Sequence, residues 1–236
     1  MFVEAFTRRL IYSVHHLYSG YDQFQLSGES RDIMTMRTPL GLVWMCTLPQ
    51  GGMNSLSHMV NAMNKAMKDC IPDITILFLD DILVKGCLDD QKDETVCDDG
   101  YRKFVADHIS DCEKIMQKLE GARVTFSREQ STFGQLKFLV VGHLCKPYGQ
   151  KPSPKKVDAI SAMKEECRSV TEVRRFLGAY AFYHIWIPHN THIAKPLYGI
   201  LKKGRRFEWK EEHAKAVRRL NERLTIALAL WESNVS

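Results

Sequence analysis

Phe78-Leu79-Asp80-Asp81 constrains the fold of this chain more than any other stretch. Apolar residues stand on both sides, Ile74-Thr75-Ile76-Leu77 before and Ile82-Leu83-Val84 after. Two adjacent carboxylates in such a run are costly, because a buried charge has to be neutralised, paired or given a metal. Neighbours in a regular strand point to opposite faces, so both acids can serve one site only at a tight bend. The expected local structure is strand, turn, strand over 74–79 and 82–85, with the acids at the bend.

A chain of 236 residues holds one large domain or two small ones, with ample core. No stretch approaches the ~18–20 apolar residues of a membrane span, and the N-terminus lacks the basic-then-apolar order of a signal peptide. An intracellular protein without a membrane partner is expected. The seven cysteines agree: their number is odd, their spacing wide, and no Cys-x-x-Cys occurs. A zinc set of Cys87, Cys97, His108 and Cys112 lacks tight ligand pairing, so scattered reduced thiols are the expected state.

Charge is divided unevenly. Residues 146–236 carry 18 Lys and Arg against 9 Asp and Glu, whereas residues 1–145 carry 15 against 19. An acidic half with paired aspartates, followed by a basic half, suits a metal site beside a track for a polyphosphate backbone. Basic helices that merely present soluble faces fit the same count.

Periodicity places the elements. Residues 9–16 alternate as a strand, 23–26 read as strand-like, and 35–44 as a hairpin bent at Pro39-Leu40-Gly41. Leu56, Met59, Val60, Met63 and Met67 repeat at helical spacing until Ile71-Pro72 stops them. Residues 87–100 hold six acids against Lys92 and no apolar period, a solvated loop without the spacing of a calcium hand. A helix over 105–120 and strands at 124–126, 131–133 and 137–144 follow. Beyond Pro152-Ser153-Pro154 the pattern is helical, with a capping-box spacing at Ser169-x-x-Glu172 and a last amphipathic helix over 211–224. The fold class is therefore mixed α/β (α+β) to about residue 150 and helical to 236.

In order along residues 10–230, eight motifs resemble the reverse transcriptase of gypsy-type LTR retrotransposons. They are Leu17-Tyr18-Ser19-Gly20-Tyr21-Asp22-Gln23, Arg37-Thr38-Pro39-Leu40-Gly41, Leu48-Pro49-Gln50-Gly51, Phe78 to Val84, Ser131-Thr132-Phe133-Gly134, Val141-Gly142-His143, Arg175-Phe176-Leu177-Gly178 and Phe207-Glu208-Trp209. The resemblance implies a palm with incomplete fingers in 1–150 and a helical, basic thumb and connection in 151–236. It implies RNA-directed DNA polymerase chemistry, in which two Mg²⁺ (or Mn²⁺) ions about 3.5–4 Å apart stabilise the attacking and leaving oxygens. Asp80 and Asp81 are the implied metal ligands. Tyr21, Gln50 and Gly51 would touch the incoming dNTP, and Gly142 and His143 would grip the primer. Lys155, Lys156, Lys164, Arg168, Arg174 and Arg175 would contact an RNA/DNA template–primer through its phosphates. Only some fifteen residues precede His16, and the chain ends near where the family enters RNase H, so an excised or decayed piece of a Pol polyprotein is expected.

One position departs from the pattern. Aligning Ser19-Gly20-Tyr21 puts His16 where the family has its first catalytic aspartate. Imidazole is a poor Mg²⁺ ligand, so ion binding is expected to be weakened and the polymerase poor or inactive. The alternative function is non-catalytic binding of nucleic acid by a protein derived from a retroelement. Oligomeric state is open.

Overall fold

The computed structural model describes residues 3–202, 204 and 206–233. It divides into two compact units, Phe6–Phe138 and Leu139–Ser236 with the first five residues.

The first unit is built on a four-stranded sheet. Its elements run β1 (Tyr12–Leu17), α1 (Gly28–Ile33), β2 (Thr35–Thr38), β3 (Gly41–Trp44), α2 (Ser55–Ala66), β4 (Thr75–Phe78), β5 (Asp81–Lys85), α3 (Lys103–Gly121) and β6 (Phe126–Gln135). The strand order is β4-β5-β1-β6, with antiparallel pairing throughout, and β2 with β3 forms a separate hairpin. Alternation along the strands turns Leu17, Ile82 and Val84 to one side, where they pack with Met63, Met67, Cys112, Ile115 and Leu119. The methionines recur every four residues along α2 and its end, and Cys112, Ile115 and Leu119 recur at three and four along α3. Each helix therefore presents one apolar stripe to the sheet. Burying each such side chain contributes about 1.5–3 kcal/mol.

The second unit begins within β7 (Phe138–Val140) and adds β8 (His143–Lys146) and β9 (Gly149–Pro152) in a three-stranded sheet. Four helices follow, α4 (Pro154–Ser161), α5 (Val170–Ala181), α6 (Asn190–Ile200) and α7 (Glu211–Ser233). Val157, Val173, Phe176, Tyr180, Leu197, Val217, Leu220 and Leu224 form their shared core. The expected capping box forms one residue out of place: Ser169 Oγ accepts the Glu172 N–H at 3.2 Å, and the Glu172 carboxylate accepts the N–H of Arg168 at 2.6 Å.

Three sequence expectations are corrected. Residues 23–26 are not a strand: a 3-10 turn spans Gly20–Gln23, and only an isolated bridge joins Gln25 to Thr47. The strands expected at 124–126 and 131–133 merge into the ten-residue β6. The strand expected over 137–144 breaks at Val141 and Gly142, whose φ values of 48° and 81° cannot continue a pleat. The acidic stretch 87–100 is mostly exposed, as expected, but Lys92 is not its sole counter-charge. Arg102 reaches Glu94 at 3.3 Å, and Arg8 reaches Asp90 at 3.5 Å.

Candidate metal centre

The acidic pair sits at the β4–β5 bend. Phe78 pairs with Asp81, so Leu79 and Asp80 form a two-residue turn. Leu79 has φ 57°, a left-handed conformation that costs a side-chain-bearing residue about 1–2 kcal/mol. That twist lets two sequence neighbours deliver carboxylates to one place. β1 lies beside β5 in the register His16↔Asp81, and the Leu17 N–H donates to the Asp80 carbonyl at 2.8 Å. The end of β1 is thereby fixed against the bend.

The resulting cluster is His16, Asp80 and Asp81, one ligand atom of each lying within 4.8 Å of the others. His16 Nδ1 is 2.8 Å from Asp81 Oδ1, a hydrogen-bond distance, and His16 Nε2 is 3.4 Å from Asp80 Oδ2. The imidazole is a quarter exposed, with the Asp80 and Asp81 side chains at 41% and 37%, so the group is open to solvent on one side. The donor set does not fit a pair of Mg²⁺ ions. Magnesium takes hard oxygen ligands in octahedral geometry. Here one corner is nitrogen, and one of the two carboxylates is already engaged by that ring.

β6 shapes the other flank of His16. Pairing passes from Val14↔Thr132 to His16↔Ser127, so β6 bulges while β1 advances by two residues. Within the bulge the Ser131 hydroxyl accepts the His16 N–H at 3.1 Å while donating to the Ser127 carbonyl. Gln23 holds the chain after β1 in place. Its Nε2 donates to the Tyr18 and Thr125 carbonyls at 2.6 and 2.9 Å, and its Oε1 accepts the Thr125 N–H at 2.6 Å. Neither Ser131 nor Gln23 carried a recognisable role in the sequence, because each role depends on which strand lies alongside.

The remaining site candidates fall elsewhere. Tyr21 is half-buried in the 3-10 turn after β1, next to Gly20, where a Cβ would come within 3.2 Å of Met59 Sδ. Gln50 and Gly51 are exposed in the turn before α2, closed by the Gly52 N–H donating to the Pro49 carbonyl at 3.1 Å. In the second unit Gly142 has φ 81°, and its carbonyl accepts the Ser153 N–H at 2.9 Å. The His143 ring is buried, 4.7 Å from Phe182 and 4.9 Å from Trp186, and burial with the nearby Lys156 ammonium lowers its pKa. Lys155, Lys156, Lys164, Arg168, Arg174 and Arg175 are all exposed on and around α4 and α5. Lys156 is partly committed, with its Nζ 5.4 Å from the Phe182 ring centroid.

No protein-family description matches the chain. Among curated proteins it is similar to the retrovirus-related Pol polyproteins of transposons gypsy and 297 of Drosophila melanogaster, 27% and 25% identical over 187 residues. It is also similar to the transposon Tf2-3 polyprotein of Schizosaccharomyces pombe, 21% identical over 212 residues. These alignments take in 79% of the chain for the first two and 90% for the third, yet only 15–16% of each relative's length. Among solved structures, foamy viral protease-reverse transcriptase in complex with double-stranded DNA superposes with a TM-score of 0.79 at 20% identity, over 96% of this chain and 44% of that one. The same viral protein in complex with an RNA/DNA hybrid gives 0.75 at 21% identity, over 94% and 28%. The fold is thus that of a reverse transcriptase. In sequence the chain is similar to part of retrotransposon Pol polyproteins, gypsy among them.

Proposed function

We propose that this region binds an RNA or DNA template–primer and is a poor or inactive polymerase, because His16 stands where nucleotidyl transfer needs a third acid. One observation carries the reading: the imidazole lies between Asp80 and Asp81, 3.4 Å from one carboxylate and 2.8 Å from the other. A two-metal step needs anionic oxygen ligands to gather paired cations. Substituting nitrogen for one of them removes charge from that cluster and leaves Asp81 bonded to the ring instead.

Binding does not depend on that cluster. Lys155, Lys164, Arg168, Arg174 and Arg175 are exposed on one basic stretch, and such residues give sequence-independent, salt-sensitive attraction to a phosphate backbone. In this reading Tyr21, Gln50 and Gly51 line the dNTP position. The Val141-Gly142 bend offers backbone to a primer end, while the neighbouring His143 ring is buried against Phe182 and Trp186. The assignment of 1–150 to fingers and palm and of 151–236 to thumb and connection belongs to the same reading. Among the described residues no helix is long and apolar enough to cross a membrane.

The test is anisotropy of a labelled primer–template at rising salt, followed by dNTP addition with Mg²⁺ or Mn²⁺. The expected result is salt-sensitive binding without extension. Absence of binding at low salt would refute the proposal. Extension abolished by D80N would refute its catalytic half and leave an active enzyme. The non-catalytic binding protein remains the second reading, favoured by the same exposed basic residues, and extension by an H16D variant would exclude it.

A further inference from the structure

We propose that His16 and Asp80 hold a single borderline transition-metal cation of the Zn²⁺ class, with Asp81 orienting the imidazole. The inference uses the same three side chains as the function proposed above but requires neither nucleic acid nor polymerase activity.

The two His16 nitrogens have different surroundings. Nδ1 is 2.8 Å from Asp81 Oδ1, a carboxylate placed to accept the Nδ1 proton when Nε2 ligates a metal. Nε2 faces the other side of the cluster, 3.4 Å from Asp80 Oδ2, beyond the usual hydrogen-bond range. Carboxylate, imidazole and cation in series is the arrangement by which metal-binding histidines are oriented and made more basic.

The spacing fits a shared ion. Ligands about 2.1 Å from a zinc-sized cation lie about 3.0 Å apart at a right angle and about 3.4 Å apart at the tetrahedral angle. The observed separation of Nε2 and Oδ2 is 3.4 Å. Backbone pairing sets that spacing, since His16 is in register with Asp81 and the Leu17 N–H holds the Asp80 carbonyl at 2.8 Å. Solvent completes the set, since the three side chains are partly exposed.

Donor chemistry selects the ion. Imidazole nitrogen suits Zn²⁺, Co²⁺, Ni²⁺ and Cu²⁺, whereas Mg²⁺ prefers oxygen alone. Replacing one acid by histidine therefore changes which cation the bend prefers, beyond weakening Mg²⁺.

The test is titration of the metal-stripped full chain with Co²⁺ under reducing conditions, followed by competition with Zn²⁺ and with Mg²⁺. The expected result is uptake of one ion with a visible ligand-field band stronger than that of aqueous Co²⁺. Zn²⁺ should displace it at concentrations where Mg²⁺ does not. H16A and D80N should each weaken uptake at least tenfold, and D81N by about tenfold through loss of orientation. H16D should narrow the Zn²⁺-over-Mg²⁺ preference. Uptake indifferent to H16A and D80N in folded variants, a thiolate charge-transfer band, or no uptake at all would overturn the inference. Primer–template binding measured without metal on the same preparation separates the two claims: its retention alongside failed uptake sinks only the metal site, and the reverse sinks only the proposed function.

Discussion

His16 and Asp81 face each other across two hydrogen-bonded strands, and the ring nitrogen Nδ1 lies 2.8 Å from the carboxylate oxygen Oδ1. A pairing register and one β-bend suffice to create this contact. Under the proposed function its consequence is chemical: a carboxylate placed to help gather metal holds a ring instead. D81N should leave the fold intact, since the pair is partly exposed, and cost no more than about 1 kcal/mol in urea unfolding. A much larger loss would mean that the cluster is a structural tie.

The Leu79 backbone supplies a second prediction. Its φ of 57° is strained for leucine and ordinary for glycine, and its side chain is partly exposed, so little packing is lost on removal. L79G is expected to stabilise the chain by about 1 kcal/mol or to be neutral, while L79V should destabilise it by about 1 kcal/mol or more. Paired denaturant midpoints check both.

Ser13 joins three elements through one hydroxyl. It lies 2.8 Å from His108 Nε2 on α3 in the interior, and it accepts the Gly134 N–H of β6 at 3.0 Å in a partly buried contact. S13A leaves the buried His108 ring and the Gly134 N–H without that partner and should cost about 1–2 kcal/mol, read as a lower denaturant midpoint at unchanged slope.

Acid should unfold this unit through its buried histidines. His15 is fully buried, with its ring edge-on to Phe126 and Phe133, and burial is the main cause that lowers its pKa to about 4. Burial lowers His108 as well. The unfolded chain takes up these protons near pH 6.5 and the folded chain does not, so stability falls as pH drops from about 6.5 toward 4. For His15 alone the full effect is about 3 kcal/mol. H15F should flatten that acid limb in urea titrations at pH 7, 6 and 5, and an unchanged limb would contradict the assignment.

Salt dependence reports the basic stretch. Removing charge at Lys155, Arg174 and Arg175 should weaken primer–template binding and shallow the log–log salt slope by roughly 0.7–0.9 per lost phosphate contact. These residues are exposed, so the melting temperature should barely move.

Much of this was legible in the sequence where local pattern governs. The strand–turn–strand around Asp80 and Asp81 follows from apolar residues flanking two acids, and α2 and α3 follow from their three- and four-residue spacing. The proximity of His16 to that bend was legible only through the order of motifs, since 65 residues separate His16 from Asp81. Nothing local announces the β6 bulge, because Ser127 to Ser131 reads as polar strand or loop, and β1 decides where its ladder slips. The break at Val141-Gly142 was half visible. Glycine marked it, but the left-handed Val141 did not. Gln23 shows the same limit: its side chain ties the chain after β1 to the Thr125 backbone, and no residue near it in sequence says so.

The measurement that bears most directly on the central claim is single-nucleotide extension of a bound primer–template by the natural chain and by H16D, side by side, with Mg²⁺ and with Mn²⁺. No product from the natural chain, and product from H16D that D80N removes, is the expected result. Robust Mg²⁺-dependent extension by the natural chain, unchanged by H16D, would contradict the claim that the imidazole displaces a needed acid.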